Sequence, residues 1–97
     1  MGVAKLDTAR RSLWFRGAGI ALTTAEFNAL AALAARYGQV LTRDELSASL
    51  YGREWNGRDR AVDVCIGRLR RKLEERTRGY LEIRSVRGVG YFLINKF

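Results

Sequence analysis

The 97-residue chain is long enough for one domain with a modest core and too short for two. Its composition, 47% hydrophobic and 29% charged, excludes a disordered tail, and its formal net charge of +8 favours a polyanionic or acidic partner. With one cysteine and no histidine it has too few ligands for a zinc site and cannot form an internal disulfide. No apolar run approaches the roughly 18 residues of a membrane span, and no signal-peptide pattern is present, so we expect a cytoplasmic protein without metal or cofactor.

Residues 4–22 predict short β-strands joined by tight turns. Their apolar residues alternate to form one buried face, at Leu6, Leu13, Phe15, Ile20 and Leu22. Strands this short and few are not stable alone, so we expect a small antiparallel sheet packed on helices. Trp14 is out of phase with Leu13 and Phe15 and falls on the opposite face. We interpret Trp14 as a packing residue, with a recognition role as the alternative.

Two capping boxes predict where the first two helices begin, because a threonine N-cap and a glutamate three residues later satisfy each other's backbone donors. The boxes are Thr23 with Glu26 and Thr42 with Glu45. They predict helices over about 24–37 and 43–51, terminated by Gly38 and Gly52. The apolar face of the first helix comprises Phe27, Leu30, Leu33, Ala34 and Tyr37. The short connector at Val40 tethers the turn to the core, and the order predicts a helix-turn-helix.

Residues 51–58 show no period and contain two glycines, so they are predicted to form a loop. Trp55 in this loop has two interpretations. It either folds back onto the core or belongs to an exposed contact surface, since a large aromatic in a polar loop is a common interface anchor. The residues of that surface would be Arg53, Glu54, Trp55 and Arg58.

A third helix is predicted over about 59–76, with Asp59 as its N-cap. One stripe of this helix is apolar and must face the core, at Val62, Ile66, Leu69 and Leu73. The opposite face carries cations and small residues, at Arg60, Val64, Gly67, Arg68 and Arg71. We interpret Asp63 as a charge that holds a neighbouring arginine, and not as a catalytic acid. Such a helix suits a polyanion, and duplex DNA is the first candidate because its major groove admits a helix.

From about residue 80 to 95 the pattern changes to period two on both sides of a glycine-rich turn, which predicts a terminal hairpin with Arg87 at its tip. The Gly88-Val89-Gly90 sequence is not interpreted as a phosphate cradle, because that site requires a strand followed by a helix. The 1–97 domain is therefore predicted to be α+β, a winged helix-turn-helix with an N-terminal antiparallel sheet, three helices and a C-terminal β-hairpin wing.

In several motifs the sequence resembles the C-terminal effector domain of OmpR/PhoB-type two-component response regulators, over nearly the whole chain. The motifs are Leu22-Thr23-Thr24-Ala25-Glu26-Phe27, Thr42-Arg43-Asp44-Glu45-Leu46, Asp59-Arg60-Ala61-Val62-Asp63-Val64, Arg68-Leu69-Arg70-Arg71-Lys72-Leu73 and Val86-Arg87-Gly88-Val89-Gly90-Tyr91. The family's phosphorylated receiver domain is not found in this chain, so we expect an excised effector domain or a stand-alone one.

The resemblance implies a set of contacts. The long helix would lie in the major groove, and the tip of the wing would enter the adjacent minor groove. The implied DNA-binding residues are Arg60, Val64, Cys65, Arg68, Arg71, Lys72 and Arg87. The loop with Trp55 would contact RNA polymerase, and two copies would bind direct repeats in tandem.

Two residues depart from the pattern of the family. Gly67 replaces a polar residue of the long helix, at a cost of roughly 1 kcal/mol in helix propensity. Cys65 stands where some relatives have histidine or another polar residue that contacts a base, and burial as a small apolar side chain is the alternative.

The leading hypothesis is sequence-specific binding of double-stranded DNA for transcriptional regulation. The alternative is a winged-helix interaction module that binds an acidic protein partner through the same cations. An enzyme is not expected, because the sequence offers no plausible pair of nucleophile and base.

Overall fold

The computed structural model describes residues 4–53 and 60–96 as two antiparallel sheets and three α-helices. In chain order the elements are β1 (Ala4–Asp7), β2 (Ser12–Phe15), β3 (Ala18–Ile20), α1 (Thr24–Ala35), β4 (Leu41–Thr42), α2 (Arg43–Tyr51), α3 (Ala61–Thr77), β5 (Leu81–Val86) and β6 (Gly90–Asn95). One sheet has the strand order β1-β2-β3 and the other β4-β6-β5. This arrangement confirms the predicted α+β class and winged helix-turn-helix.

In the N-terminal sheet, a two-residue turn joins β2 to β3. Arg16 and Gly17 both have positive φ, 51° and 82°, as a type I′ turn requires for a right-twisted hairpin. The inner face of the sheet is buried and the outer face is open to solvent. Trp14 lies on the predicted opposite face, where its ring packs over Gly19 while 43% of its surface stays exposed.

Both predicted capping boxes are present, with each threonine hydroxyl and each glutamate carboxylate bonded to the backbone of the other residue. The first helix nevertheless ends at Ala35, two residues before the predicted end at Tyr37. Arg36 leaves the helical conformation, with φ −117° and ψ 44°, and the phenol oxygen of Tyr37 accepts a hydrogen bond from the Asn95 nitrogen at 2.8 Å. Tyr37 is therefore half exposed at the end of β6 and is not part of the apolar face of α1.

Strand β4 was not predicted, because a connector of two or three residues shows no period. It pairs Leu41 with Tyr91 and Thr42 with Gly90, and so joins the start of α2 to the hairpin. The backbones approach so closely that a Cβ atom on Gly90 would lie 1.8 Å from the carbonyl oxygen of Leu41. Only glycine fits this position.

Helix α3 packs its predicted apolar stripe into the centre of the domain. Each of the four side chains is at most 1% exposed, namely Val62, Ile66, Leu69 and Leu73. Burying each contributes about 1.5 to 3 kcal/mol relative to exposure. The helix begins at Ala61 with Arg60 at its N-cap position, two residues after the predicted start, and Asp59 lies outside the described residues. No helix in the described part of the chain is long and apolar enough for a membrane crossing.

Candidate nucleic-acid interface

In the part of the chain that the structure describes, the solvent face of α3 is predominantly cationic. Exposed on this face are Arg60 at the N-cap position and Val64, Gly67, Arg68 and Arg71, with Glu75 one turn beyond Arg71. Arg68 and Arg71 form no hydrogen bond or ion pair with any residue in 4–53 or 60–96, so their guanidinium groups are available to an external anion. A groove of about 650 Å³ runs beside them, between α3 and the start of α1. This face offers forked donors to phosphates or base edges.

Lys72, which the resemblance implied as a DNA contact, is engaged inside the domain. Its Nζ lies 2.7 Å from Oε1 of Glu26 and 3.1 Å from the carbonyl oxygen of Ala21. Glu26 is only 3% exposed. Burial acts to raise the pKa of Glu26, but hydrogen bonds from Lys72 and from the Thr23 backbone outweigh it, so that its pKa lies below the ordinary value. Lys72 therefore fixes α3 to the start of α1.

Cys65 adopts the buried alternative, with 6% of its surface exposed. Burial and the nearby charge of Glu26 raise the pKa of its thiol to about 11, so the thiol is protonated and unreactive at neutral pH. In this position it is a small core residue.

Asp63 connects three elements through one carboxylate oxygen. Arg43 of α2 donates to Oδ1 from Nε at 2.9 Å, and the Tyr91 hydroxyl of β6 donates to the same oxygen. The Arg43 guanidinium also lies 5.3 Å from the Tyr91 ring centroid. Burial acts to raise the pKa of Asp63, but the bonds from Tyr91 and Arg43 lower it further than burial raises it. The predicted role of holding an arginine is confirmed, and the tyrosine is an addition from the hairpin.

The C-terminal half of α3 is fixed to the hairpin as well. Arg70 donates from Nε to the carbonyl oxygen of Ile83 at 2.8 Å, across the side of α3 that faces β5. The position of α3 is thus set by side-chain bonds to α1, α2 and both long strands.

The wing is a tight turn between β5 and β6. The Val89 nitrogen donates to the Val86 oxygen at 2.9 Å, and Gly88 at the third position has φ 75°, a value that glycine favours. Arg87 is exposed at the tip. The turn therefore presents one arginine to solvent.

The predicted contact loop is described only in part. Arg53 stacks 5.2 Å from the ring centroid of Tyr51, at the end of α2. Glu54, Trp55 and Arg58 lie outside the described residues. Within residues 4–53 and 60–96, no group of three His, Cys, Asp or Glu side chains could hold a metal ion.

Gly67 lies on the exposed face of α3, and its substitution by alanine tests whether the space beside it is open. A Cβ atom added there meets nothing within 4 Å. We expect Gly67→Ala to raise the free energy of unfolding by about 1 kcal/mol through helix propensity, and the midpoint of thermal unfolding by roughly 5 °C. Urea and thermal unfolding measure both values, and a variant less stable than the parent would contradict the open space beside Gly67.

Comparison with known proteins identifies close similarity over nearly the whole chain. The family described as "Transcriptional regulatory protein, C terminal" matches residues 17–93. The transcriptional regulatory protein CpxR of Klebsiella pneumoniae is 39% identical over 90 residues, which cover 93% of this chain and 39% of that protein. RstA of Escherichia coli K12 is likewise 39% identical over 90 residues. The chain thus spans about two fifths of the length of these curated relatives.

Two solved structures share the fold at similar identity. The RstA DNA-binding domain of Klebsiella pneumoniae, in complex with the RstA box, superposes with a TM-score of 0.83 at 38% identity, covering 96% of this chain and 92% of that one. The DNA-binding domain of CpxR from Escherichia coli gives a TM-score of 0.86 at 35% identity, covering 98% and 93%.

Proposed function

Because the chain belongs to the OmpR/PhoB-type transcriptional regulators as a C-terminal effector domain, we propose that it binds double-stranded DNA and regulates transcription. The observation that carries the proposal is the pair of exposed arginines, Arg68 and Arg71, on a helix whose opposite stripe is sealed in the core. The structure of the RstA domain with its DNA box supports duplex DNA as the ligand.

In this proposal α3 lies in the major groove. Arg68, near the middle of the helix, donates two hydrogen bonds to a guanine edge, and Val64, which is 48% exposed, contacts a thymine methyl. Arg60 and Arg71 bind flanking phosphates, which fix the register of the helix without specifying sequence. Arg87 of the wing enters the neighbouring minor groove. Lys72 and Cys65 are left out of this set because one is paired with Glu26 and the other is buried.

The proposal is tested by selecting bound duplexes from a random pool and then measuring affinity against salt. A DNA-binding domain of this kind retains a large ratio between the selected and a scrambled duplex as salt increases. A chain that selects no sequence, or that loses affinity for both duplexes in parallel, would contradict the proposal.

Arg68→Ala distinguishes base contact from phosphate contact. We expect a loss of roughly 1 to 3 kcal/mol in binding to the selected duplex, with relaxed preference at one base pair, because the bidentate bond is lost. Binding to duplexes substituted at each position measures it. Lys5→Ala, which removes an exposed cation of β1, is the control and should change affinity less than about twofold. Equal weakening on all duplexes would assign Arg68 to phosphate and refute the guanine contact.

Further partners are proposed from the family alone. The loop that contains Arg53, Glu54, Trp55 and Arg58 would contact RNA polymerase, and two copies would bind direct repeats in tandem. The cytoplasm is the proposed location, and no enzymatic activity is proposed, in keeping with a family of transcription regulators.

A further inference from the structure

The outer face of the N-terminal sheet carries a second basic surface, separate from α3. We name it the Trp14 surface. It is a shallow concavity of about 560 Å³, lined by Lys5, Asp7, Arg10, Ser12, Trp14 and Arg16 together with the turn glycine. Three of these seven positions are cations, and none of them belongs to the DNA-binding set proposed above.

Trp14 is exposed and its side chain is held in place. It sits on the central strand of its sheet, paired across to Lys5 on one side and Gly19 on the other. A Cβ on Gly19 would lie 3.4 Å from the six-membered ring, so the indole rests on the bare backbone of that residue. Its Nε1 donates to the Ser12 hydroxyl at 3.1 Å. One face of an ordered indole is therefore presented to solvent at no further ordering cost.

The Trp14 surface has a net positive charge, with three cations and one carboxylate among its residues. Neither Lys5 nor the Arg10 side chain forms an ion pair with any acidic residue in the described part of the chain. One carboxylate oxygen of Asp7 accepts a hydrogen bond from the Arg10 backbone nitrogen at 3.0 Å, within the turn between β1 and β2. Arg16 lies 5.2 Å and 5.1 Å from the ring centroids of Phe15 and Tyr80, at the edge of the surface. The surface is electropositive around an apolar centre.

A protein suits this surface better than a nucleic acid does. Single-stranded nucleic acids stack successive bases on several aromatic side chains, whereas Trp14 is the only aromatic of the surface. The hot spots of protein interfaces, by contrast, are enriched in tryptophan and arginine.

We propose that the Trp14 surface is a docking site for an acidic protein segment, with an apolar side chain of the partner against the indole and its carboxylates against Lys5 and Arg10. Charge complementarity selects the partner, and the indole provides the apolar contact. None of the residues that line the Trp14 surface lies on α3, so a segment bound there does not occupy the residues proposed to bind DNA.

The test uses Trp14 fluorescence in a Trp55→Phe background, where it is the only tryptophan. A short glutamate-rich peptide with a central leucine is titrated into the protein, and the same peptide with glutamine in place of glutamate is the control. We expect a saturable change of emission with the first peptide and none with the second. If the peptide binds without changing the emission of Trp14, the peptide lies elsewhere on the protein and the proposal is overturned.

Matched charge reversals locate the site. We expect Lys5→Glu with Arg10→Glu to weaken peptide binding by about tenfold or more, and Arg68→Glu with Arg71→Glu, the same change in net charge, to weaken it less than about threefold. Thermal unfolding confirms that both variants fold. Equal losses in the two variants would show a general attraction to a polycation, and tighter binding of a single-stranded oligonucleotide at the same residues would show a nucleic-acid site. Either result overturns the proposal.

Discussion

Replacing Gly90 with alanine is expected to lower the free energy of unfolding by about 3 kcal/mol, a large effect for a single methyl group. The added Cβ would lie 1.8 Å from the Leu41 oxygen and 2.9 Å from the Thr42 Cα, which are backbone atoms that no side-chain rotation can move away. Strands β4 and β6 would have to separate, and the pairing of the hairpin with the start of α2 would be lost. Urea unfolding measures the loss.

Gly19→Ala is the matched control, because it adds the same methyl group to another strand. There the nearest atom is a ring carbon of Trp14 at 3.4 Å, at the end of a side chain that can shift. We expect a change below about 1 kcal/mol. Equal stability of the Gly90→Ala and Gly19→Ala variants would contradict the close approach of the β4 and β6 backbones.

Lys72→Met is expected to lower the free energy of unfolding at neutral pH by about 2 kcal/mol. The change leaves the carboxylate of Glu26, which is 3% exposed, without its cation. A fully buried pair broken in this way costs about 3 to 5 kcal/mol, and the lysine side chain, 37% exposed, reduces that figure.

The pH dependence identifies the cause. In the parent protein the pKa of Glu26 is lowered on folding, so its contribution to stability is present above the ordinary value of 4.5 and is lost as pH falls through the folded value. In the Lys72→Met variant burial is opposed only by the hydrogen bonds to Thr23, so the pKa of Glu26 lies above its value in the parent protein. The difference in stability between the two proteins should therefore be full at pH 7 and shrink below pH 4.5. Urea unfolding at both pH values checks this.

Glu26→Gln combined with Lys72→Met provides the control, since glutamine retains the capping bond and removes the unpaired charge. The double variant should recover part of the stability lost in Lys72→Met. DNA affinity should stay within about twofold of the parent. A tenfold loss of affinity with unchanged stability would instead restore Lys72 to the DNA contacts that the resemblance implied.

Much of the fold follows from local patterns in the sequence. The stripe from Val62 to Leu73 specified which side of α3 is buried, because four apolar residues at helical spacing have only one face to share. The capping boxes at Thr23 and Thr42 specified two helix starts, since the bonds that define a box lie within four residues. The cationic face of α3 was predictable for the same reason.

Several contacts between residues that are far apart in the sequence could not be predicted. Lys72 and Glu26 are 46 residues apart, and no periodicity relates them. Strand β4 is too short to show a pattern, and the need for Gly90 becomes evident only once Leu41 lies against it. The sequence placed Trp14 on the outer face of β2, but not its contact with Gly19, because a glycine has no side chain that would indicate the arrangement.

The ion pairs also affect the long-range electrostatic attraction between the protein and a polyanion. Within the described ranges, several cations are neutralised by acids of the domain: Arg36 by Glu45, Arg43 by Asp63, Lys72 by Glu26, and both Arg84 and Lys96 by Glu82. Electrostatic steering therefore depends on the unpaired arginines of α3 and the turns more than on the total charge. Encounter rates should fall as added salt shortens the screening length to about 8 Å at physiological ionic strength, while the internal pairs stay largely intact.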